Sequence, residues 1–291
     1  MRAVVITRAG GPEVLEAREV EDPPALGEGE VLLEVAAAGV NRADTVQRMG
    51  RYPPPAGASP YPGLECSGTI LALGPNVPSR WAVGDKVCVL LSGGGYAEKV
   101  VVPAGQLLPI PEGVSLTDAA GLPEVACTVW STVFMTSHLS PGESFLIHGG
   151  SSGIGTFAIQ IAKHLGIKVF VTAGVDVILD NIGGSYLQRN LNSLGVDGRL
   201  FIIGFQGGIV AEVNLQAVLA RRLTIQAAGL RNRNLANKAE IVSEVEKNVW
   251  PAVTTGKVRP VIYKTFPLSE AAEAHRLMEA STHIGKILLL P

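Results

Sequence analysis

Along the first 110 residues the hydrophobic positions follow the pattern of short, half-buried strands. RAVVIT, EVLLEVAAAGV and YAEKVVVP are typical of strands, EVLLEVAAAGV alternates between apolar and polar residues before it becomes apolar, and turns rich in Gly and Pro separate these runs. Residues 41–52 predict a short helix or a loop, and the PPPAGASPYPG that follows is too rich in Pro and Gly for regular structure. This part of the chain is therefore expected to form an antiparallel, barrel-like β-domain.

Beyond about residue 115 the hydrophobic period becomes that of helices alternating with buried strands. The helices are expected over 122–139, 156–165, 185–194, 235–255 and 269–280, and the strands over 145–147, 167–171, 175–184, 199–204 and 222–228. Strands over 261–266 and 286–290 are expected to return to the first domain. The pattern predicts an α/β chain with a β-domain at 1–120, a doubly wound parallel sheet at 121–256 and a returning segment at 257–291.

A glycine-rich turn joins the first strand of the second domain to its first helix. The segment Gly150, Ser151, Ser152, Gly153, Ile154 and Gly155 reads GSSGIG, which is GxGxxG with a serine at the middle glycine. Such a turn lets backbone N–H groups and the positive end of a helix dipole face a pyrophosphate. We expect these six residues to bind a dinucleotide; the alternative is an ordinary strand-to-helix turn.

Composition narrows the possible functions. The chain is 47% hydrophobic and 17% charged with a net charge of −2, which predicts a large core and does not favour nucleic acid as a partner. A run of about 18 apolar residues is missing and the start of the chain does not resemble a signal peptide, so no membrane association and a cytoplasmic location are expected. Cys66, Cys88 and Cys127 are too scattered for a disulfide framework and are expected to be buried apolar residues.

Several motifs occur in an order that identifies a family. GEGEVLLEVAAAGVNRADTVQRMGRYPPP, PGLECSGTI, VGDKVCVLLSGGGYAE, VDVILDNIGG and HIGKILL, with the glycine turn, resemble the zinc-free quinone oxidoreductases of the medium-chain dehydrogenase/reductase superfamily, in the branch of the p53-inducible quinone oxidoreductase. The resemblance implies a GroES-like β-barrel catalytic domain, a Rossmann domain and a cleft between them. It also implies NADPH as cofactor, a quinone or enone as substrate, and a homodimer or homotetramer.

The residues at the family's zinc positions argue for chemistry without a metal. Zinc-dependent relatives carry a Cys where this chain has Asn41 and a His where it has Leu64, and Asn41, Leu64 and Glu65 cannot supply three zinc ligands. We therefore expect no metal. The implied reaction is hydride transfer from NADPH to an already polarised acceptor.

The resemblance breaks after Thr172. Only Ala173 and Gly174 stand between two predicted buried strands, whereas a parallel crossover needs a dozen or more residues. On the order of forty residues, about one strand and two helices, are missing at 174/175 relative to a regular Rossmann domain. Either the chain is a shortened form, such as a splice product, or an unobserved segment was closed up in the numbering. No carboxylate stands at 172–174 to repel a 2′-phosphate, which favours NADPH.

Other candidate residues follow from the resemblance, each with an alternative. Tyr52 is the candidate proton donor, unless its ring only packs beside the prolines; Asn41 is expected at the nicotinamide end, unless it is a turn residue. Asp44 and Gln47 are expected to be solvated, and the five histidines structural or exposed. Phe205 could equally belong to the core, and Lys286 to the surface. The further cofactor candidates are Thr128, Thr172, Gly204, Phe205, Gly229, Leu230, Arg231 and Lys286.

Three functions remain open from the sequence. The first is an NADPH-dependent quinone oxidoreductase, with Tyr52 and Asn41 as its catalytic residues. The second is a non-catalytic or poorly active truncated isoform, which would bind NADPH weakly and be marginally folded. The third is an enoyl reductase of the same superfamily.

Overall fold

The computed structural model describes residues 1–170 and 174–291, without the side chain of Phe170. Within this range the chain forms two compact units, Met1–Cys127 with Arg231–Pro291 and Thr128–Leu230. The described structure confirms the α/β fold with a GroES-like unit and a parallel Rossmann sheet.

The first unit is built mainly from antiparallel strands. Its strands are β1 (Arg2–Ile6), β2 (Leu15–Glu19), β3 (Glu30–Val40), β4 (Glu65–Leu73), β5 (Lys86–Leu90), β6 (Lys99–Pro103), β7 (Leu107–Pro109), β13 (Ile262–Pro267) and β14 (Lys286–Leu290). β1 pairs with β2, and the larger sheet runs β13-β14-β3-β4-β5-β7, with β6 also on β3. The alternating residues Val31, Leu33 and Val35 of β3 point into one apolar core, as their period of two predicts.

Helices surround that sheet. They are α1 (Arg42–Arg48), α2 (Leu116–Ala119), α3 (Pro123–Val129), α7 (Leu235–Asn248), α8 (Trp250–Thr254) and α9 (Ala271–Ala280), with α3 running across the boundary between the units. Short 3₁₀ turns lie at Pro12–Val14, Ala104–Gln106 and Leu268–Glu270.

The second unit has a wholly parallel sheet in the order β12-β11-β10-β8-β9. These strands are β8 (Ser144–Ile147), β9 (Lys168–Phe170), β10 (Val175–Asp180), β11 (Leu194–Ile202) and β12 (Thr224–Ala227). The helices are a π-helical segment (Trp130–Thr136), α4 (Gly153–His164), α5 (Leu187–Ser193), which follows a 3₁₀ turn at Gly184–Tyr186, and α6 (Leu215–Arg221).

The parallel sheet is one strand short of the regular dinucleotide-binding order. That order is 3-2-1-4-5-6, and β9, β8, β10, β11 and β12 correspond to strands 2, 1, 4, 5 and 6. Among the described residues, no strand takes the place of strand 3. This matches the predicted position of the missing segment, between β9 and β10.

The helix predicted over 122–139 changes its winding. After α3 the backbone continues as a π-helix, where Ser137 N–H bonds to Thr132 O at 3.0 Å, five residues back. The Thr132 and Thr136 hydroxyls donate to backbone carbonyls four and five residues earlier, each at 2.7 Å. Hydroxyls that compete for these carbonyls weaken the regular α-helical ladder.

The helix predicted over 235–255 is divided, and it belongs to a different unit from the one expected. Proline has no N–H to continue the ladder of α7, and Pro251 stands at the second position of the separate helix α8, which begins at Trp250 directly after Val249. Residues 231–256, which the sequence analysis placed with the parallel sheet, instead group with the first unit. The cause is packing: a side chain at Gly105 would meet Ala239 of α7, and Trp250 donates to Pro109 O at 2.8 Å.

Candidate functional site

The glycine turn between β8 and α4 is packed too tightly to hold side chains. A Cβ atom at Gly155 would lie 2.3 Å from Gly149 O and 2.6 Å from two backbone atoms of Gly150. Gly149 itself has φ +70, which favours glycine. The loop therefore folds back directly onto the first turn of α4, as the GxGxxG pattern predicts.

The same turn presents unused hydrogen-bond donors. Ser152 caps α4, because its hydroxyl oxygen accepts from Gly155 N–H at 3.0 Å. The N–H groups of Gly153 and Ile154 have no partner in the described part of the chain, and Ser151 is exposed beside them. Free N–H groups at the positive end of a 12-residue helix suit a pyrophosphate, so these residues fit the phosphate groups of a dinucleotide.

The carboxyl end of β10 lies beside this turn. Buried Asp180 accepts from Ile182 N–H and Gly183 N–H, both at 2.9 Å, which fixes the loop that follows the strand. The side-chain amide of Asn181 stands 3.2 Å from a Cβ position at Gly149, and Asn181 O stands 3.2 Å from one at Gly204. The structure thus brings Gly204 close to the turn through Asn181, a residue that sequence analysis missed. A polar pair directly after a buried strand was the available signal.

Among the described residues, seven buried side-chain polar atoms of this unit lack protein partners, and two of the seven belong to Asn181 and to the candidate Thr128. The Asn181 Oδ1 atom and the Thr128 hydroxyl make no hydrogen bond among the described residues. Orphaned buried groups of this kind are costly unless something else bonds to them. They fit a ligand rich in hydroxyl and amide groups, such as a dinucleotide.

The remaining cofactor candidates of this unit are less closely placed. Phe205 is 54% exposed, so the alternative that it is a core residue is wrong. Gly229 and Leu230 follow β12, exposed and half-buried respectively. Thr172 lies outside the described residues.

In the first unit Asn41 belongs to a buried charged cluster. Lys286 Nζ donates to Asn41 Oδ1 at 2.8 Å and forms an ion pair with Glu65, while Asn41 Nδ2 donates to Glu65 Oε1 at 2.9 Å. A Cβ atom at Gly39 would lie 2.2 Å from the same Glu65 oxygen, so the cluster needs glycine there. The surface alternative for Lys286 is therefore wrong. The ammonium group of Lys286 therefore lies between the side chains of Asn41 and Glu65.

Asp44 is buried in α1, and the expectation that it is solvated is wrong. Its carboxylate accepts from Asn41 N–H at 2.8 Å, from Gly63 N–H at 3.0 Å and from the Tyr96 hydroxyl at 3.2 Å. Burial raises the pKa of Asp44 to about 6, and these hydrogen bonds partly oppose that rise. Asp44 thereby fixes the start of α1 and the Gly63 turn.

A chain of donors leads to Asp44 from the other side of Tyr96. Arg48 can only donate, so at 3.3 Å it makes His275 Nδ1 an acceptor, and the neutral imidazole carries its hydrogen on Nε2. His275 then donates to Tyr96 Oη at 3.2 Å, and Tyr96 donates onward to Asp44. Burial and Arg48 lower the pKa of His275 to about 3, which keeps it neutral. His275 is therefore structural, as predicted.

Tyr52 keeps a free phenol beside a fixed cation. Its ring lies 5.0 Å from the guanidinium carbon of Arg231, and its hydroxyl has no partner within residues 1–170 and 174–291. Burial raises the pKa of Tyr52, and nearby Glu124 adds to the rise, so the phenol stays protonated and able to donate. The ring of Tyr52 packs on Arg231, and its hydroxyl is still available as a hydrogen-bond donor.

Arg231 uses its guanidinium to hold the first unit together. It donates to Ser92 O at 2.8 Å, Tyr52 O at 3.1 Å and Gln47 Oε1 at 2.7 Å, so Gln47 is buried rather than solvated. The guanidinium of Arg231 is occupied by these contacts, and the role of Arg231 in cofactor binding stays a prediction that concerns its backbone. Sequence reasoning missed this cluster because its members are up to 184 residues apart.

Three further predictions concern groups outside this cluster. Cys66, Cys88 and Cys127 are free and buried, as expected, and burial raises the pKa of each thiol. In the part of the chain that the structure describes, no three His, Cys, Asp or Glu side chains gather to hold a metal ion. None of the described helices is long and apolar enough to cross a bilayer.

Two family models match different parts of this chain. The model "Alcohol dehydrogenase GroES-like domain" matches residues 27–112, and "Zinc-binding dehydrogenase" matches residues 165–289. The chain is similar to the synaptic vesicle membrane protein VAT-1 homolog of Danio rerio, at 31% identity over 99% of this chain and 69% of the relative.

A second relative and a solved structure cover the whole chain. The quinone oxidoreductase of Rattus norvegicus is 30% identical over 100% of this chain and 98% of the relative. That alignment spans 329 positions, 38 more than the 291 residues here, in keeping with the missing segment. The crystal structure of Escherichia coli quinone oxidoreductase complexed with NADPH superposes with a TM-score of 0.86 at 26% identity, covering 100% of both chains. The chain therefore belongs to the medium-chain dehydrogenase/reductase superfamily, among its zinc-free, quinone oxidoreductase-like members.

Proposed function

We propose that this chain transfers reducing equivalents from NADPH to a quinone. The observation that carries the proposal is the glycine turn, in which Gly155 admits no side chain and Gly153 and Ile154 keep free N–H groups. These residues would hold the pyrophosphate, and Thr128 and Asn181 would give their unpaired buried atoms to the cofactor. The names of the rat relative and of the Escherichia coli complex support a quinone substrate and NADPH.

The chain's own residues contribute binding, orientation and a proton. The dihydronicotinamide, when bound, supplies a hydride to the quinone. Tyr52 would donate its phenolic proton to the quinone oxygen that gains electrons, and the phenol would regain a proton from solvent. Asn41 keeps a lone pair on Oδ1 for the nicotinamide end of the cofactor, while Lys286 and Glu65 fix its orientation. Hydride plus proton converts the quinone into its hydroquinone.

A specific observation favours NADPH over NADH. No Asp or Glu stands between Leu165 and Val175, where NAD-specific enzymes carry a carboxylate that bonds the ribose hydroxyl. Without a carboxylate at the end of this strand, no negative charge repels the 2′-phosphate of NADPH. We expect NADPH to bind at least tenfold more tightly than NADH, measured by titrating cofactor fluorescence.

The short sheet favours one second candidate, a poorly active isoform. Strand 3 and its helices, which normally supply the adenosine side of the site, have no counterpart among the described residues. If this candidate is correct, NADPH binds weakly and the chain is marginally stable. A micromolar dissociation constant together with quinone turnover would exclude it. Turnover of an enone or enoyl thioester, without quinone turnover, would instead indicate an enoyl reductase.

Assembly and location belong to the same proposal. We expect a homodimer or homotetramer in the cytoplasm. The edge strand β12 is largely exposed, and in the helix that precedes it, α6, Leu215 and Leu219 are 73% and 82% exposed; self-association would cover these apolar side chains. Light scattering during gel filtration would give the subunit number, and a monomer at micromolar concentration would contradict the expectation.

A further inference from the structure

A buried lysine of the first unit has no role in the function proposed above. Lys238 of α7 is only 1% exposed, although an ammonium group is costly to bury. Its Nζ donates to the Ser92 hydroxyl oxygen, and that is its one hydrogen bond among the described residues. An ammonium has three donors, so two remain unused.

Charged groups of both signs lie near Lys238 and its neighbour Arg231: Glu124 acts on Lys238, and Asp44 acts on Arg231. Arg231 is 3% exposed, and its partners are two carbonyls and an amide oxygen, all neutral. Neither cation forms an ion pair within the described residues. Burial lowers the pKa of Lys238 to about 8; Glu124 of α3 opposes that fall, and the smaller effect of Arg231 adds to it. The hydrogen bonds of both cations go to neutral oxygens, so neither charge is neutralised by a direct ion pair, and negative charge placed beside them would be stabilised.

Ser92 is more exposed than Lys238 and Arg231, the two cations that bond to it. It is half-buried, in the loop after β5, and it accepts a hydrogen bond from Lys238, so its own hydrogen points elsewhere. That hydrogen has no acceptor among the described residues. A hydroxyl that accepts from an ammonium donates more strongly, because chained hydrogen bonds polarise one another.

Tyr52 and Ser92 are fixed relative to each other. Adjacent nitrogens of one guanidinium, that of Arg231, bond the backbone oxygens of both residues, at 3.1 and 2.8 Å. The loop that carries Ser92 is also pinned, because a Cβ atom at Gly93 would lie 2.7 Å from Ser59 O. Two free hydroxyl donors, a phenol and a serine, are thus held around one cation.

We propose that Ser92 and Lys238 form an oxyanion-binding pair for a carbonyl acceptor. Ser92 donates to the oxygen that becomes negative when the acceptor is reduced, and Lys238 strengthens that bond from behind. Ser92 and Lys238 transfer no proton in this scheme; Tyr52 supplies the proton. The inference rests on the proposed reduction of a carbonyl-conjugated acceptor, and it adds two residues that neither the glycine turn nor Tyr52 requires.

A binding assay tests the pair without any cofactor. 4-Nitrophenol carries a phenolic oxygen that resembles the developing oxyanion, and its colour reports ionisation. We expect the wild-type protein to bind the phenolate more tightly than the phenol, and Lys238→Met and Ser92→Ala each to weaken phenolate binding about tenfold to hundredfold. The control is Lys257→Met, at an exposed lysine of the same unit. Equal affinities for phenol and phenolate in the wild type would overturn the proposal.

Kinetics test the same pair in turnover. With 1,4-benzoquinone and NADPH, Ser92→Ala should lower kcat about a hundredfold and Lys238→Met by a smaller factor, with KM little changed. Wild-type kcat should fall above about pH 8 as Lys238 loses its charge, and Lys238→Met should lack that fall. Lys238→Met removes an unpaired buried charge, so its thermal midpoint should not drop.

The two failures can be told apart. If NADPH reduces no acceptor, the proposed function fails, while phenolate binding still decides the pair. If quinone turnover is unchanged in Ser92→Ala and Lys238→Met, the pair is refuted and the function stands.

Discussion

Gly155→Ala should disrupt the glycine turn while leaving the rest of the chain folded. The new Cβ would lie 2.3 Å from Gly149 O and 2.6 Å from two atoms of Gly150, closer than real Cβ contacts come, and all three obstructing atoms belong to the backbone. The turn must therefore open. Overpacking of this kind costs about 1–3 kcal/mol, and the better helix propensity of alanine returns up to about 1 kcal/mol.

The expected result is a small loss of stability and a large loss of binding. The free energy of unfolding should fall by about 1–2 kcal/mol, which lowers the thermal midpoint by a few degrees. The opened turn moves the Gly153 and Ile154 N–H groups away from the phosphate, so affinity for NADPH should fall more than tenfold. Differential scanning calorimetry and cofactor fluorescence titration measure the two effects.

Gly195→Ala is the matched control, because its Cβ would meet no atom closer than 3.6 Å. It lies in β11 of the same unit and should leave both quantities unchanged. If Gly155→Ala binds NADPH as tightly as the wild type does, the geometric basis assigned to the glycine turn is refuted.

Three other changes test the first unit. Tyr52→Phe should lower kcat for a quinone roughly a hundredfold with little change in KM, because it loses the phenolic donor, whereas Tyr263→Phe, at an exposed ring, should not; equal kcat values would contradict the donor role. Lys286→Met strands the Glu65 carboxylate and should lower the free energy of unfolding by about 3–5 kcal/mol in urea, while adding Glu65→Gln should restore part of it; no restoration would argue against an ion-pair effect. The pKa of Asp44 is raised in the folded chain, so the stability that Asp44 contributes is present below its unfolded pKa of 3.8 and is lost as the pH rises through about 6. The pKa of His275 is lowered, so the stability that His275 contributes is present above pH 6.5 and is lost as the pH falls towards 3. His275→Gln keeps both neighbours bonded but cannot titrate. Between pH 6.5 and pH 4 the wild type should therefore lose up to about 3 kcal/mol more of its free energy of unfolding than the variant loses. Parallel pH dependences of the two proteins would refute this.

Local patterns predicted the elements whose physics is local. The glycine turn was predictable because its spacing, its preceding strand and its capping serine lie within twelve residues. The apolar strands of the sheet were predictable because both faces are buried, which leaves continuous apolar runs such as VDVILD.

Elements that depend on distant contacts were not predictable in the same way. The helix α6 was missed because Leu215 and Leu219 face solvent, so its apolar residues do not mark a buried face. α7 was assigned to the wrong unit because the sequence shows its periodicity but not the Ala104–Gln106 turn on which it packs.

The site was predicted only where one motif carries it. Asp44 and Gln47 stand on a polar helix that looks solvated, and only the fold shows that Tyr96 and Arg231 cover them. Ser92 and Lys238 are 146 residues apart, and neither residue type signals a site alone.

The most direct test of the proposed function is thermal unfolding of the purified 291-residue chain with and without NADPH. A ligand that binds only the folded state at a hundredfold excess over its dissociation constant adds about 2.7 kcal/mol of stability. We therefore expect the midpoint to rise by several degrees with NADPH and by less with NADH at the same concentration. An unchanged midpoint at millimolar NADPH would contradict cofactor binding by this chain, and with it the proposed reductase.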